Sequence, residues 1–283
     1  MTVIDAHCHA WEYWPYQPPV PDPESRGRIE QLLFEMDQNG VDRAVVICAG
    51  IDHNPRNSDY IAEQVKRWPD RLIQFADIDC KWSATHHTPG AAERLVEAAD
   101  RWSLKGFTHY LNEAPDSDGH WLRSPDGTAF LQAASDRRLI LSLACAPHHL
   151  RLVADIARRW PTLPILLHHM ARVRGTGTPT GMREMLHIAD CPNVHVKISG
   201  FGYSAPGCAY PYDEIAWLVR MIHELVGPER MCWGSDYPVV RRYMTYAQTL
   251  AVARWHASFL GEAEQALVFG WTMQRLLGAE CTF

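Results

Sequence analysis

The sequence predicts an α/β fold, a single-domain (β/α)8 barrel (TIM barrel) over residues 1–283. Short apolar runs alternate with segments of helical periodicity, and eight such runs occur along the chain. The runs are rich in Val, Ile, Leu and Phe and alternate only weakly, as parallel strands buried on both faces do. A doubly wound open sheet is the competing arrangement, but no G-x-G-x-x-G follows the first run.

The predicted elements follow one another in the order that a barrel requires. The strands are the apolar runs at residues 3–9, 42–48, 71–78, 104–111, 138–146, 163–170, 193–200 and 230–237. The helices between and after them lie at residues 29–38, 58–67, 91–101, 129–137, 150–159, 183–189, 215–226, 247–259 and 262–277. The loops at 11–27, 171–181 and 201–213 are long. In a barrel they lie on the face that carries the chemistry, where they are expected to form a lid or a substrate wall.

Composition narrows the class of protein. A net charge of −6 argues against nucleic-acid binding, which needs clustered Lys and Arg. None of the eight cysteines forms a C-x-x-C pair. No apolar run approaches the ~20 residues that span a bilayer, and no secretory signal is seen before the first strand. We therefore expect a cytoplasmic protein with free thiols and a small-molecule substrate, with no nucleic-acid or membrane partner. The sequence leaves a homo-oligomer open.

The first strand carries the first candidate site residues. His7 and His9 are two residues apart on a strand, so their imidazoles point to the same side while Cys8 faces away. Two neutral imidazoles on a rigid strand suit a divalent metal such as zinc. Taken alone, an H-x-H pair in a chain with 15 histidines is more often structural.

Two later strands end in further candidates. Asp236 follows the eighth strand, where a buried carboxylate is costly unless it is paired or coordinating, although a turn cap before Pro238 is the alternative. His168 and His169 end the sixth strand, and adjacent strand residues face opposite ways. We therefore expect only one of these two imidazoles to reach the barrel mouth, and the spacing does not say which one. In a closed barrel, three imidazoles and one carboxylate from these strands would meet around one point and hold one metal ion and a water.

Four segments carry a resemblance to a known family: DAHCHAW at the N-terminus, LPILLHHM, NVHVKISG and GPERMCWGSDYP. They resemble the amidohydrolase-related, metal-dependent hydrolases, in particular the branch of L-fuconolactonases and 2-pyrone-4,6-dicarboxylate lactonase. The resemblance covers nearly the whole chain, and the K-x-S-G and G-S-D-x-P segments are its most specific parts.

The resemblance implies roles for individual residues. His7, His9 and His169 match the family's histidines, and Asp236 matches the acid that activates water. These four would be the ligands of one divalent metal, most naturally zinc, although some members of the branch work without a metal. Lys197 matches the lysine of K-x-S-G and is expected to contact substrate or set the site's electrostatics; a buried ion pair is the alternative.

Two departures from the family pattern affect the expected pocket. This chain has His168 where relatives often have Asp. It reads Gly106-Phe107-Thr108-His109 where relatives often have Arg on the fourth strand, which makes His109 a candidate for substrate contact. Arg172 and Arg174, with Arg241 as a further choice, would hold a substrate carboxylate in a guanidinium fork, and Trp11 would form part of an aromatic wall. Solvated arginines and loop packing are the alternatives.

These residues together predict a hydrolase that opens a lactone, either a sugar lactone or a carboxylated ring lactone. Asp236 would take a proton from water, and His169 and Lys197 would assist. The alternative is a non-oxidative decarboxylase of an aromatic or muconate-type acid on the same barrel, which would need a further catalytic histidine from His195 or His109. A barrel that binds a ligand without catalysis is the third option.

Overall fold

A computed structural model of the chain, described for residues 2–17, 19–111, 118–176 and 181–278, contains one sheet of eight parallel strands in sequential order. The strands are β1 (Ile4–Cys8), β2 (Arg43–Ile47), β3 (Leu72–Asp77), β4 (Gly106–Tyr110), β5 (Ile140–Ala144), β6 (Ile165–Leu167), β7 (Val194–Ile198) and β8 (Met231–Trp233). A bridge between Cys8 and Tyr237 joins β1 to the segment after β8. The predicted (β/α)8 barrel is confirmed.

Helices surround the barrel. They are α1 (Ile29–Gln38), α2 (Asn57–Arg67), α3 (Ala91–Trp102), α4 (His120–Arg123), α5 (Pro125–Asp136), α6 (Leu150–Arg159), α7 (Met182–Met185), α8 (Phe201–Ser204), α9 (Ala216–Val226), α10 (Tyr246–His256), α11 (Glu262–Ala266) and α12 (Thr272–Leu276). A π-helical turn at Leu267–Trp271 connects the last two. The sequence missed α4 and α8 because a four-residue helix is too short to show a period. Across the described ranges, every helix is too short or too polar to cross a bilayer.

Two apolar layers stabilise this arrangement. The larger one lies between the strands and the helices, where α1, for example, buries Ile29, Leu32 and Met36. The smaller one fills the barrel interior with side chains such as Ile47 and Phe75. Because this interior layer is apolar, the polar chemistry of the barrel is expected at the carboxyl end of the strands.

A shift in register on β1 decides which of its side chains face inwards. The pairing of β1 with β2 is irregular between Asp5 and Cys8, as in a β-bulge. Ala6 belongs to the interior layer and Cys8 to the outer one, while His7 and His9 both lie at the mouth of the barrel. The bulge therefore aims both histidines at the same point.

Candidate active site

The structure brings together the four residues that the sequence placed at one centre. The Nε2 atoms of His7, His9 and His169 lie 3.6, 3.5 and 3.7 Å from Oδ1 of Asp236. All four side chains are buried. One carboxylate oxygen is thus surrounded by three imidazole nitrogens at the carboxyl end of the barrel.

Hydrogen bonds behind the imidazoles fix their orientation. Nδ1 of His9 lies 2.8 Å from the carbonyl oxygen of Ile47, which can only accept, so Nδ1 carries a proton and Nε2 is turned towards Asp236. Nδ1 of His169 lies 2.9 Å from Oγ of Ser199. These partners leave both Nε2 atoms directed at the carboxylate.

Lys197 lies behind His7 in a chain of buried polar groups. Its Nζ is 3.0 Å from Nδ1 of His7 and donates to Oγ of Ser142 at 2.6 Å, and Nε2 of His168 is 2.8 Å from that hydroxyl. Burial lowers the pKa of the Lys197 amine to about 7. Burial, and then Lys197, hold the pKa values of His7 and His168 well below the ordinary value, so both imidazoles are neutral.

The pair of Lys197 and His7 therefore has two proton arrangements. A charged amine donates to Nδ1 of His7 and leaves the ring proton on Nε2, facing the pocket. A neutral amine accepts from Nδ1–H and leaves Nε2 free to bind a cation. Lys197 does not line the pocket, where a substrate contact was expected, and its amine contacts His7 and Ser142 instead; the electrostatic role stays a prediction.

Asp236 is held as a charged carboxylate. Burial alone would raise its pKa, but His169, His9 and the hydroxyl of Tyr203 outweigh that effect and keep the pKa below its ordinary value. Tyr203 donates to Oδ2 at 2.8 Å, which leaves Oδ1 for the imidazoles. The backbone amide of Asp236 donates to the carbonyl of His7 at 2.8 Å and ties the end of the barrel to its start.

The backbone around the centre is strained. His169, Met170, Ala171 and Arg172 form a left-handed turn with φ of 50–54°, and Asp236 also has φ of 59°. Such conformations cost a residue other than glycine about 1–2 kcal/mol each. The turn brings His169 into the pocket beside His168, so the expectation that only one of the two reaches the mouth is wrong. The alternation rule failed because β6 ends at Leu167.

The centre forms the floor of a pocket of about 390 Å³. Its wall carries three cationic and four aromatic side chains, those of Lys81, Arg172, Arg242, Tyr16, Trp82, Tyr110 and Tyr203. The guanidinium of Arg172 lies 5.3 Å from the ring centre of Tyr203. The exposed Asp52 adds one acidic group to the lining. Although the chain is acidic overall, its pocket is cationic.

Three other expected substrate contacts lie elsewhere. Trp11 is buried, stacks on His9 at 5.2 Å and donates to a backbone carbonyl, so it supports a site residue without lining the pocket. His109 faces the helices, 5.4 Å from Trp121, because Tyr110 takes the inward position on β4. Arg174 is exposed and outside the pocket lining, and part of its loop (177–180) lies outside the described residues. These expectations are corrected, whereas Arg172 does line the pocket.

Several pocket residues were missed by the sequence. Lys81 comes from an irregular loop, and Tyr203 and Arg242 come from single helical turns after β7 and β8, where no period relates a residue to the barrel axis. Tyr110 could have been predicted from its spacing, because it stands two residues after Thr108 on the same strand and shares its face. Choosing the face of β4 by that alternation would have favoured Tyr110 over its neighbour.

The donor set fits a divalent metal. Ligands at about 2.1 Å from a tetrahedral ion lie about 3.4 Å apart, close to the spacing between Oδ1 of Asp236 and the three imidazoles. The ligand atoms of His7, His9 and Asp236 all lie within 4.8 Å of one another. Nε2 of His7 is buried and has no hydrogen-bond partner among the described residues, which is the situation of a ligand atom. These residues are therefore suited to hold zinc.

Fold and site together define a TIM-barrel hydrolase with a three-histidine, one-aspartate centre. The sequence profile of the amidohydrolase family matches residues 4–279, so the chain belongs to that family and the predicted membership is confirmed. An L-fucono-1,5-lactonase of Burkholderia ambifaria is 28% identical over 94% of this chain and 92% of its own length. A second L-fucono-1,5-lactonase, from Burkholderia multivorans, is 26% identical over 76% of this chain and 79% of its own length.

A solved structure shows the same fold. It is the crystal structure of an amidohydrolase from Burkholderia multivorans with bound zinc, which is 20% identical to this chain and has a TM-score of 0.79. The match covers 99% of this chain and 100% of that one. The predicted class of enzyme, a hydrolase on a TIM barrel, is thereby confirmed at the level of family and fold.

Proposed function

We propose that the protein hydrolyses a lactone that carries a carboxylate, with Asp236 as the general base. One observation carries the proposal: a charged, buried carboxylate lies beneath three imidazoles at the floor of a pocket with a cationic wall. The curated relatives are lactonases by name and support cyclic esters as the substrate class.

The chain's own groups support each step. Asp236 accepts a proton from water while Tyr203 fixes its other oxygen, and the water oxygen forms a bond to the lactone carbonyl carbon. The ring proton that Lys197 directs to Nε2 of His7 faces the oxygen on which charge develops. The bond between the carbonyl carbon and the ring oxygen then breaks, and Asp236 returns the proton to that oxygen. A metal held by His7, His9, His169 and Asp236 would supply Lewis-acid polarisation of the carbonyl in place of that ring proton, because it needs Nε2 of His7 unprotonated, the arrangement in which the Lys197 amine is neutral.

The pocket wall favours the carboxylated lactone over the neutral sugar lactone. Arg172 and Arg242 present planar guanidinium groups, which pair with a carboxylate through two parallel hydrogen bonds. Lys81 adds a third positive charge to the same wall. A neutral sugar offers the two guanidinium groups no charge-assisted hydrogen bond.

The decarboxylase alternative needs a further histidine, which neither His109 nor His195 supplies; His168 does line the pocket, but its Nε2 is engaged by Ser142. His109 faces the helices, and His195 is buried and absent from the pocket lining. No observation on the pocket therefore favours release of carbon dioxide.

The test is ring opening by the purified protein on a panel of lactones with and without a carboxylate. We expect acid release without carbon dioxide, fastest on the carboxylated members. Asp236→Asn should lower kcat by about 10²–10⁴-fold, because it removes the general base. Asp52→Asn is the matched control, since Asp52 is an exposed carboxylate of the same pocket wall that lies outside the three-imidazole centre, and it should stay within a few-fold of wild type. Wild-type turnover by Asp236→Asn, or carbon dioxide released from a carboxylic-acid panel, would overturn the proposal.

A further inference from the structure

A second pocket of about 540 Å³ adjoins the catalytic one. The two share one residue, Arg242, which lines both. Trp14, Val20 and Pro21 provide apolar surface in the second pocket, and Arg241 stands beside Arg242 at its edge. It thus combines an apolar floor with three guanidinium groups, the third being that of Arg26.

An aromatic row connects the second pocket to the catalytic centre. Trp11 stacks on His9, and its ring centre lies 5.4 Å from that of Tyr16. Tyr16 in turn contacts Trp14 edge-to-face at 5.7 Å. The guanidinium of Arg242 lies 4.4 Å above the ring of Tyr16 and marks the boundary between the pockets. A ligand that passes this boundary extends from the carboxylate of the centre onto Trp14.

The three guanidinium groups of the second pocket differ in their partners. Among the residues that the structure describes, no carboxylate lies within 4 Å of Arg241 or Arg242, and both are exposed. Arg26, at the far side of the pocket, is different because it pairs with Asp22 at 2.7 Å. Two unpaired guanidiniums beside an apolar floor match a ligand that has an apolar body and an anionic end.

We propose that the second pocket binds the non-reacting end of the substrate, an aromatic or short apolar group that ends in a carboxylate. Arg241 is then a specificity residue for this end, and Trp14 packs against its apolar part. This inference rests on the proposed lactone hydrolysis only for the identity of the reacting end, because binding in the second pocket needs no chemistry.

A binding experiment tests the site without any reaction. The probe is 3-phenylpropanoate, and its affinity for the full chain is measured by titration calorimetry. Arg241→Ala should weaken binding about tenfold, which corresponds to ~1.4 kcal/mol. Arg151→Ala, an exposed arginine on α6 outside both pockets, should stay within twofold, and Arg172→Ala, which removes a guanidinium from the catalytic pocket, should weaken binding less than Arg241→Ala does. Absence of binding, equal affinity of Arg241→Ala and wild type, or a larger loss in Arg172→Ala than in Arg241→Ala would overturn the proposal.

Kinetics provide the second measurement. For a lactone with and without an added carboxyphenyl arm, the ratio of the two kcat/KM values should fall about tenfold in Arg241→Ala and stay within twofold in Arg151→Ala. An unchanged ratio in an active enzyme refutes the second pocket and leaves lactone hydrolysis standing. If no lactone reacts at all, the proposed function fails, and the calorimetric result alone decides on the pocket.

Discussion

Gly200→Ala tests how the site is held in place, because this glycine packs against two residues that contact Asp236. Gly200 has φ of +65°, a left-handed conformation that costs alanine about 1 kcal/mol. A Cβ at this position would lie 2.6 Å from Cβ of His169 and 2.7 Å from Cδ2 of Tyr203, closer than real contacts allow. Relieving such overpacking typically costs a further ~1–3 kcal/mol.

The two costs together predict a free energy of unfolding lowered by about 2–4 kcal/mol. Activity should suffer more, because the side chains that must move are those within reach of the carboxylate, and a misplacement of ~1 Å can cost ~10²-fold in rate. Urea unfolding measures the first quantity, and kcat/KM for lactone hydrolysis measures the second.

Gly40→Ala is the matched control. Gly40 has φ of +64°, but an added Cβ would meet no atom within 4 Å. The free energy of unfolding of this variant should fall by only about 1 kcal/mol, from the backbone conformation, and kcat/KM should stay at the wild-type value. If the two variants lose the same stability, and Gly200→Ala retains wild-type kcat/KM, the steric argument is wrong.

Three further substitutions test other parts of the site and the barrel. Arg172→Met should raise KM for a carboxylated lactone about tenfold with little change in kcat, because one guanidinium fork is worth ~1.4 kcal/mol; steady-state kinetics check it. Lys197→Met should lower kcat about tenfold or more and leave KM nearly unchanged, because the amine contacts His7 and not the pocket; a change in KM alone would instead show substrate contact. Burial raises the pKa of Asp77 to about 6, so the native protein keeps a proton that the unfolded chain releases, and this stabilisation is lost as the pH rises through that value. The free energy of unfolding of Asp77→Asn minus that of wild type should therefore increase by about 2 kcal/mol between about pH 4 and about pH 7, measured by urea unfolding at both pH values. A difference that does not change with pH would contradict the raised pKa of Asp77.

The strands, the helices and the central residues of the site could be predicted from the periodicity of the sequence, because strands in a barrel have a fixed geometry. Residues two apart on a strand face the same way, so His7 and His9 converge, and closure of the barrel brings the segment after β8 to β1. The same rule explains why Lys197 and Ser199 both point towards the histidines. A sequence shows such relations directly, since they depend on spacing and not on loop conformation.

The rest of the site depends on conformations for which these residues have no local preference. Nothing in His-His-Met-Ala-Arg signals a left-handed turn, because that backbone is unfavourable for each residue and persists only through tertiary contacts. Tyr203 reaches Asp236 from α8, a helix too short to predict. The error over His109 and Tyr110 has a different origin. Neighbouring residues on a strand face opposite sides of the sheet, so choosing the position one residue too early selects the wrong face.

The K-x-S-G segment on β7 explains how the strained parts of the site are maintained. Lys197 hydrogen-bonds His7, Ser199 lies within hydrogen-bond distance of His169, and Gly200 leaves the space that His169 and Tyr203 occupy. One short segment thus supports three of the side chains around Asp236, although none of its residues needs to touch a substrate. The left-handed turn at His169 costs several kcal/mol at about 1–2 kcal/mol per residue, and a large packed barrel can sustain that cost. Substitutions in this segment should therefore impair catalysis well before they unfold the barrel.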